Sequence, residues 1–208
     1  MRKLAILGAS GHGKVVADTA LQAGWDEVIF FDDTWPSLKM NGNLSVAGDA
    51  AKLLECRDEF LGVVVAIGNN RVRLNKTMQL REAGLPLVTL VHPKAYVAND
   101  VVIEPGTVVF AGAIVQPGGS IGLAGIVNTG ATIDHDCVLR DGVHVCPGAH
   151  LAGGVMIDEC TWVGIGAVVN QYLRIGSGVT IGAGAAVVGD VPVSVTVVGV
   201  PGRVVTRS

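Results

Sequence analysis

Aromatic side chains make up only 4% of this 208-residue sequence and charged ones 16%. A conventional core of this length uses more Phe, Tyr and Trp, so their scarcity points to a narrow interior filled by Val, Ile, Ala and Gly, as in a tightly coiled solenoid. No run of Lys and Arg is present and the net charge is −3. That removes the basic footprint that nucleic acid or an anionic membrane surface requires. No segment approaches the roughly 18 uninterrupted apolar residues of a membrane span. The apolar run Leu4–Leu7 stops at Gly8, too soon for the core of a signal peptide. Cysteine is sparse as well. Cys56, Cys137, Cys146 and Cys160 form no CxxC pair, so reduced, mostly buried thiols and a cytoplasmic location are expected, with small molecules as partners.

What is abundant is glycine, 29 residues, within a chain that is 50% hydrophobic. The first ninety residues read as alternating strands and helices. Lys3–Leu7, Glu27–Phe31 and Leu61–Ile67 are apolar strand runs; Lys14–Ala23 and Val72–Ala83 are amphipathic helices stopped by Gly24 and Gly84. The order β-α-β…β-α predicts a small Rossmann-like, doubly wound parallel sheet over residues 1–90.

From residue 91 to the C terminus the period is six. Every sixth residue from Val97 to Val187 is aliphatic, without exception. A fixed six-residue period predicts an all-β left-handed parallel β-helix, in which three hexapeptides make one triangular coil, the aliphatic residue points inward, and Gly or Asn take the corners. One coil is then eighteen residues, and residues eighteen apart stack at the interstrand spacing of about 4.8 Å. His135 falls between Pro117 and Gly153, His144 beside Trp162, and His150 beside Val168.

This stacking singles out His135. Asp134 and Asp136 flank it, as a general base needs, and Gly153 leaves room beside the imidazole, with Ala152-Gly153-Gly154 offering backbone N–H groups. His144 is a second candidate. A zinc site of the kind some β-helices use to hydrate carbon dioxide needs converging histidines; none of His135, His144 and His150 stacks on another, so no metal is expected. Cys137, two residues from His135, invites an acyl-enzyme reading, but it occupies the inward small position of its repeat and is expected to be buried.

At the N terminus Gly8-Ala-Ser-Gly-His-Gly13 lies between a strand and a helix, where backbone N–H groups can face a phosphate. Asp32 and Asp33 close the second strand, where an acidic residue can hold a ribose hydroxyl. A nicotinamide dinucleotide and a nucleotide-diphosphate sugar both fit this pattern, and the small sheet favours the shorter ligand.

With GASGHGK at the start, FFDD after the second strand, AIGNN after the third, HP at the junction, NTGATIDHD in the β-helix and VGVPGR at the end, the chain resembles the sugar-nucleotide acetyltransferases over nearly its whole length. Bacillosamine- and perosamine-type N-acetyltransferases are members, and the family is often described as sialic-acid O-acetyltransferase-like. The resemblance implies a homotrimer with active sites between subunits. Acetyl-CoA would serve as acyl donor and a nucleotide-linked amino sugar as acceptor. It implies His135 as general base with Asp136 as its acid partner, where close relatives often carry Glu, and His144 as the second histidine. It further implies substrate contacts at Gly11, His12, Gly13, Asp32, Asp33, Gly68, Asn69 and Asn128. Gly153 would polarise the thioester, and Ile165 and Ala183 would line the CoA groove. O-acetylation of a sugar such as sialic acid, and a non-catalytic sugar-nucleotide-binding trimer, are the competing expectations.

Overall fold

The apolar runs of the first third become β1 (Lys3–Leu7), β2 (Glu27–Phe31) and β5 (Gly62–Val65), with α1 (Gly11–Gln22) and α3 (Asn70–Glu82) following β1 and β5. Between them lie β3 (Met40–Asn41), β4 (Leu44–Gly48) and α2 (Ala50–Glu55), which the sequence patterns did not resolve. β3 and α2 are too short to establish a period of 2 or 3.6, and β4, though as long as β1, reads LSVAG and is not a continuous apolar run. The sheet order is β3-β4-β2-β1-β5; β4, β2, β1 and β5 are parallel, and β3 pairs antiparallel with β4. The computed structural model describes residues 1–205 and separates into two units, Met1–Pro93 and the chain from Lys94 onward.

Within the first unit Ala5, Leu7, Phe31, Val63 and Val65 pack against Leu53 of α2 and Leu80 of α3. Alternation along the strands sends Leu4, Ile6 and Phe30 to the other face, all fully buried. There α1 packs on β1 and β2, so helices cover both faces as the β-α order predicts. Strand order reverses at β1, which has β2 on one side and β5 on the other. In such sheets the crevice outside the carboxyl ends of the two strands at the switch point receives ligands.

The helix α1 begins at Gly11, three residues before the expected Lys14, with Ser10 as an extended N-cap (φ −102°). Gly11, His12 and Gly13 are therefore its first turn. The glycine at 13 is needed for close approach, since a Cβ there would strike the Gly8 carbonyl and come within 3.1 Å of Phe30 Cε1. Packing on β1 overrides the roughly 0.5–1 kcal/mol helix penalty of each glycine.

The second unit is the left-handed β-helix expected from the six-residue period. Its first face runs through Tyr96–Val97, Ile114–Val115, Thr132–Ile133, His150–Leu151, Val168–Val169 and Ala186–Val187; its second through Val102–Ile103, Ser120–Ile121, Val138–Leu139, Met156–Ile157 and Arg174–Ile175. The third holds Val108–Val109, Ile126–Val127, His144–Val145, Trp162–Val163 and Thr180–Ile181, then Thr196–Val198 and an antiparallel Arg203–Val205. Paired residues are eighteen apart throughout the regular coils, as in His144 with Trp162 and His150 with Val168. The inward aliphatics Val115, Ile133, Val145, Ile157, Val163 and Ile181 are 0% exposed.

Corners repeat every six residues from Gly106 to Gly184, each with φ between 55° and 74°. Glycine fills most of them, and Asn none. Ala124, Asp136, Cys160 and Tyr172 are the exceptions. A side chain in this left-handed region costs about 1–2 kcal/mol, least for Asp.

Truncating one interior residue tests this packing. Ile133→Ala is expected to lower unfolding stability by about 2–5 kcal/mol, read from urea unfolding. An unchanged midpoint would show that Ile133 does not fill the prism.

Candidate active site

His135 sits in the turn between Thr132–Ile133 on the first face and Val138–Leu139 on the second. Its backbone N–H donates to Asp134 Oδ1 (2.8 Å), which fixes the turn, and its Nδ1 meets Asp136 Oδ2 at 2.8 Å. The Asp136 carboxylate thus reaches the ring. It does so because Asp136 adopts the left-handed corner conformation, φ 60°. The same placement needs a glycine one coil earlier, as a Cβ on Gly118 would lie 2.5 Å from Asp136 Oδ1. The hydrogen bond to Asp136 raises the His135 pKa above its ordinary value, aided by the charge of Asp134 and opposed by slight desolvation. The ring is half-exposed. With Nδ1 committed to Asp136, Nε2 is the nitrogen left to exchange a proton.

Gly153 lies under this ring. A Cβ there would clash with Nε2 and lie 2.5 Å from Cε1. Of the three N–H groups expected to be bare only one remains, since Ala152 N–H donates to the Val169 carbonyl and Gly154 N–H to the His135 carbonyl (2.8 Å). At the equivalent corner position one coil earlier, Asp134 caps the N–H of His135. Residue 152 is alanine and has no group to do this, so the Gly153 N–H has no hydrogen-bond partner among the described residues, while the Cα of Gly153 lies against the Nε2 side of the ring. One coil on, Tyr172 N–H holds the Gly153 carbonyl (2.9 Å), and the Tyr172 ring lies over Gly154. Cys137 is fully buried, donates to the Ala152 carbonyl (3.3 Å) and has its thiol pKa raised by burial. It is an interior residue, as its repeat position predicts.

His144 belongs to a different place. It lies on the third face, the side of the triangular prism opposite the corner that carries His135. It is 9% exposed and meets the Trp162 ring edge-on, 6.5 Å between centroids. Asn128 Oδ1 accepts from Thr129 N–H (2.8 Å), which leaves its amide nitrogen to donate to His144 Nε2 at 3.0 Å. This fixes the neutral tautomer with the proton on Nδ1. Asn128 and His144 thus form one group, and His135, Asp136 and Gly153 another. Ile165, 57% exposed, and Ala183 stack one coil apart at the corner between the third and first faces.

In the first unit, the loops after β1, β2 and β5 are tied together. Gly8 N–H donates to the Phe31 carbonyl and Ala66 N–H to the Leu7 carbonyl, both at 2.7 Å. Asp32 accepts from Ala9 N–H (2.8 Å) and from the N–H and hydroxyl of Thr34. Burial pushes its carboxyl up, but these hydrogen bonds outweigh it and leave the pKa below the ordinary value. Asp33 is held down chiefly by its bond to Lys76 (2.9 Å), and its other oxygen accepts from Ala50 N–H. It therefore ties α2 to α3, a structural task the sequence did not disclose. Asn69 caps α3 through Val72 N–H (3.1 Å), and Gly68 beside it is exposed with open space around it. Asn41 of β3, overlooked in the sequence, donates to the Ser10 carbonyl (3.1 Å) at the head of α1. His12 is half-buried, with its pKa lowered to about 4 by burial and by the charge of Arg73. Among the described residues no cluster could hold a metal ion, and no helix is long and apolar enough to cross a membrane.

Residues 3–80 match the family described as the PglD N-terminal domain. UDP-N-acetylbacillosamine N-acetyltransferase of Bacillus subtilis (strain 168) is 37% identical over 120 residues, 53% of this chain, and the match spans about half of that relative, 52%. Among solved structures, the acetyltransferase domain of PglB from Neisseria gonorrhoeae in complex with acetyl coenzyme A is 43% identical, with TM-score 0.94, over 98% of this chain and 99% of that one. A variant of perosamine N-acetyltransferase from Caulobacter crescentus, in complex with CoA and GDP-perosamine, is 34% identical, with TM-score 0.93, over 100% of this chain and 98% of that one. Identity of this order across whole chains, with the His-Asp pair at a β-helix corner, leads to one conclusion: the chain belongs to the sugar-nucleotide N-acetyltransferases, acetyl-CoA-dependent enzymes that acylate the amino group of a nucleotide-linked sugar.

Proposed function

We propose that this chain transfers an acetyl group from acetyl-CoA to the amine of a nucleoside-diphosphate-linked 4-amino-4,6-dideoxyhexose, with His135 as general base. The observation that carries the reading is the packing of the Nε2 edge of His135 on Gly153, a residue whose N–H has no partner among the described residues, while Nδ1 is held at 2.8 Å by Asp136. Nε2 takes a proton from the sugar amine as its nitrogen attacks the thioester carbonyl. The Gly153 N–H donates to the oxygen that becomes negative, a contribution of about 3–4 kcal/mol for one such donor. Collapse re-forms the carbonyl, breaks the C–S bond and releases the CoA thiolate, which takes up the proton from His135. The negative Asp136 steadies the imidazolium in between.

In this reading residues 1–90 hold the nucleotide through Gly11, His12, Gly13, Asp32, Gly68 and Asn69, with Asp33 supporting the fold of that site. Residues 91–208 carry the transfer. The opposite placement of His135 and His144 supports a homotrimer in which His144 and Asn128 of one subunit face His135 of the next, with CoA along Ile165 and Ala183.

Three outcomes test this. A panel of UDP-, dTDP- and GDP-linked 4-amino-4,6-dideoxy sugars, with free sialic acid as comparison, is expected to yield thiol release from acetyl-CoA with an amino-sugar nucleotide and His135→Ala to abolish it; undiminished transfer by that variant overturns the mechanism. Because the base must be neutral and its pKa is raised, kcat/KM is expected to rise with pH through an inflection above the ordinary 6.5. Asp136→Asn removes the bond that raises it, so the inflection moves down and the plateau falls. Co-expressed His135→Ala and His144→Ala chains are expected to regain part of the activity each lacks alone; no recovery in a mixed oligomer would place both histidines in one subunit's site.

A further inference from the structure

The largest fully buried side chain in the protein is a charged one, Arg73 of α3, 1% exposed. Its Nη1 donates to the carbonyls of Ile67 (3.0 Å) and Gly68 (3.2 Å), and its Nη2 to Asn70 Oδ1 (3.0 Å). Burying a guanidinium is expensive unless its donors are satisfied, and an apolar residue would serve a helix–sheet core better. What Arg73 contributes instead is shape. Its fork reaches from the helix back to two successive carbonyls of the loop leaving β5, the loop that presents Gly68 and Asn69 to solvent at the switch point of the sheet. The side of the loop facing Arg73 is fixed, and the side facing outward is open around Gly68.

We propose that Arg73 is the positioning residue of the nucleotide site, holding the Ile67 and Gly68 carbonyls so that the Gly68-Asn69 turn keeps its place beside the loop after β1, to which Ala66 N–H is already tied. This rests on reading the first unit as the nucleotide-binding one. The charges nearby divide clearly. Asp32 is engaged by Ala9 and Thr34, Asp33 is paired with Lys76, and Arg73 is the charged group that acts on His12. Burial first and that neighbouring guanidinium second hold His12 at a pKa of about 4. Lysine cannot replace Arg73, since one ammonium cannot present the planar fork that spans two carbonyls and an amide.

The test uses Arg73→Lys and Arg73→Met in the full chain, assayed with acetyl-CoA and with GDP-perosamine or a UDP-linked 4-amino-4,6-dideoxy sugar, whichever is turned over faster. Both variants are expected to raise KM for the sugar nucleotide about ten-fold or more, as loss of a charged hydrogen bond does, while kcat and the KM for acetyl-CoA hold. A purely structural arginine would lower the folded fraction and spare KM. Imidazole titration by NMR supplies the second readout and needs no substrate. Arg73→Met should move the His12 inflection up from about 4 by the smaller share that the guanidinium contributes, burial holding the rest, and Arg73→Lys, which keeps the charge, should move it less. If Arg73→Met does not fold, Arg73→Lys alone decides through KM. An unchanged KM in the folded variants, or a fall in kcat with KM intact, overturns the inference. His12→Ala separates the two layers. If it raises KM and the Arg73 variants do not, the inference alone falls; if it leaves KM unchanged, the nucleotide reading of the first unit falls with it.

Discussion

The parallel ladder of the β-helix, which pairs each residue with the one eighteen positions on, is the constraint on which the second unit depends. Once each coil is hydrogen-bonded to the next, sequence separation becomes contact. The ladder leaves no freedom to slide, because a shift of one residue would turn the inward aliphatics outward. His135 therefore lies on Gly153 and Asp136 on Gly118 as a consequence of register, with no further element needed to bring them together. The site is as rigid as the core that sets its register.

Along the corner that bears His135, large and small residues alternate from coil to coil. Gly118 makes room for Asp136, Gly153 for His135 and Gly154 for Tyr172. A column of large residues at 4.8 Å spacing would be crowded, and a column of glycines would have no chemistry. Alternation gives each functional side chain a backbone floor, and where the floor is Gly153 it supplies a hydrogen-bond donor as well.

Much of this was legible in the sequence because the period of six is short and unbroken. It disclosed the coil, the faces, the His135–Gly153 contact and the interior place of Cys137. The left-handed corners were legible too, had the same step been taken from Gly106, since Asp136 and Tyr172 are among the few non-glycine residues it meets. The first unit was read less completely. The two-residue β3 and α2 are too short to carry a period, so Asn41 and its hold on Ser10 went unseen. Arg73 looked like any arginine of an amphipathic helix, and Asp33 like a twin of Asp32. What separates them is tertiary: Asp32 faces the β1 loop, Asp33 the Lys76 ammonium.

That the N–H of Gly153 has no partner among the described residues rests on something absent from its neighbour, a polar side chain at 152. At the preceding coil Asp134 satisfies the corresponding donor. On the proposed mechanism, catalytic competence and structural integrity are thus separable in this solenoid. A chain with Asp or Asn at 152 would coil, stack and bury its valines as this one does while quenching the donor from within. The solenoid alone is therefore a poor witness to activity among proteins that share it, and a small residue at this one corner is the more telling mark.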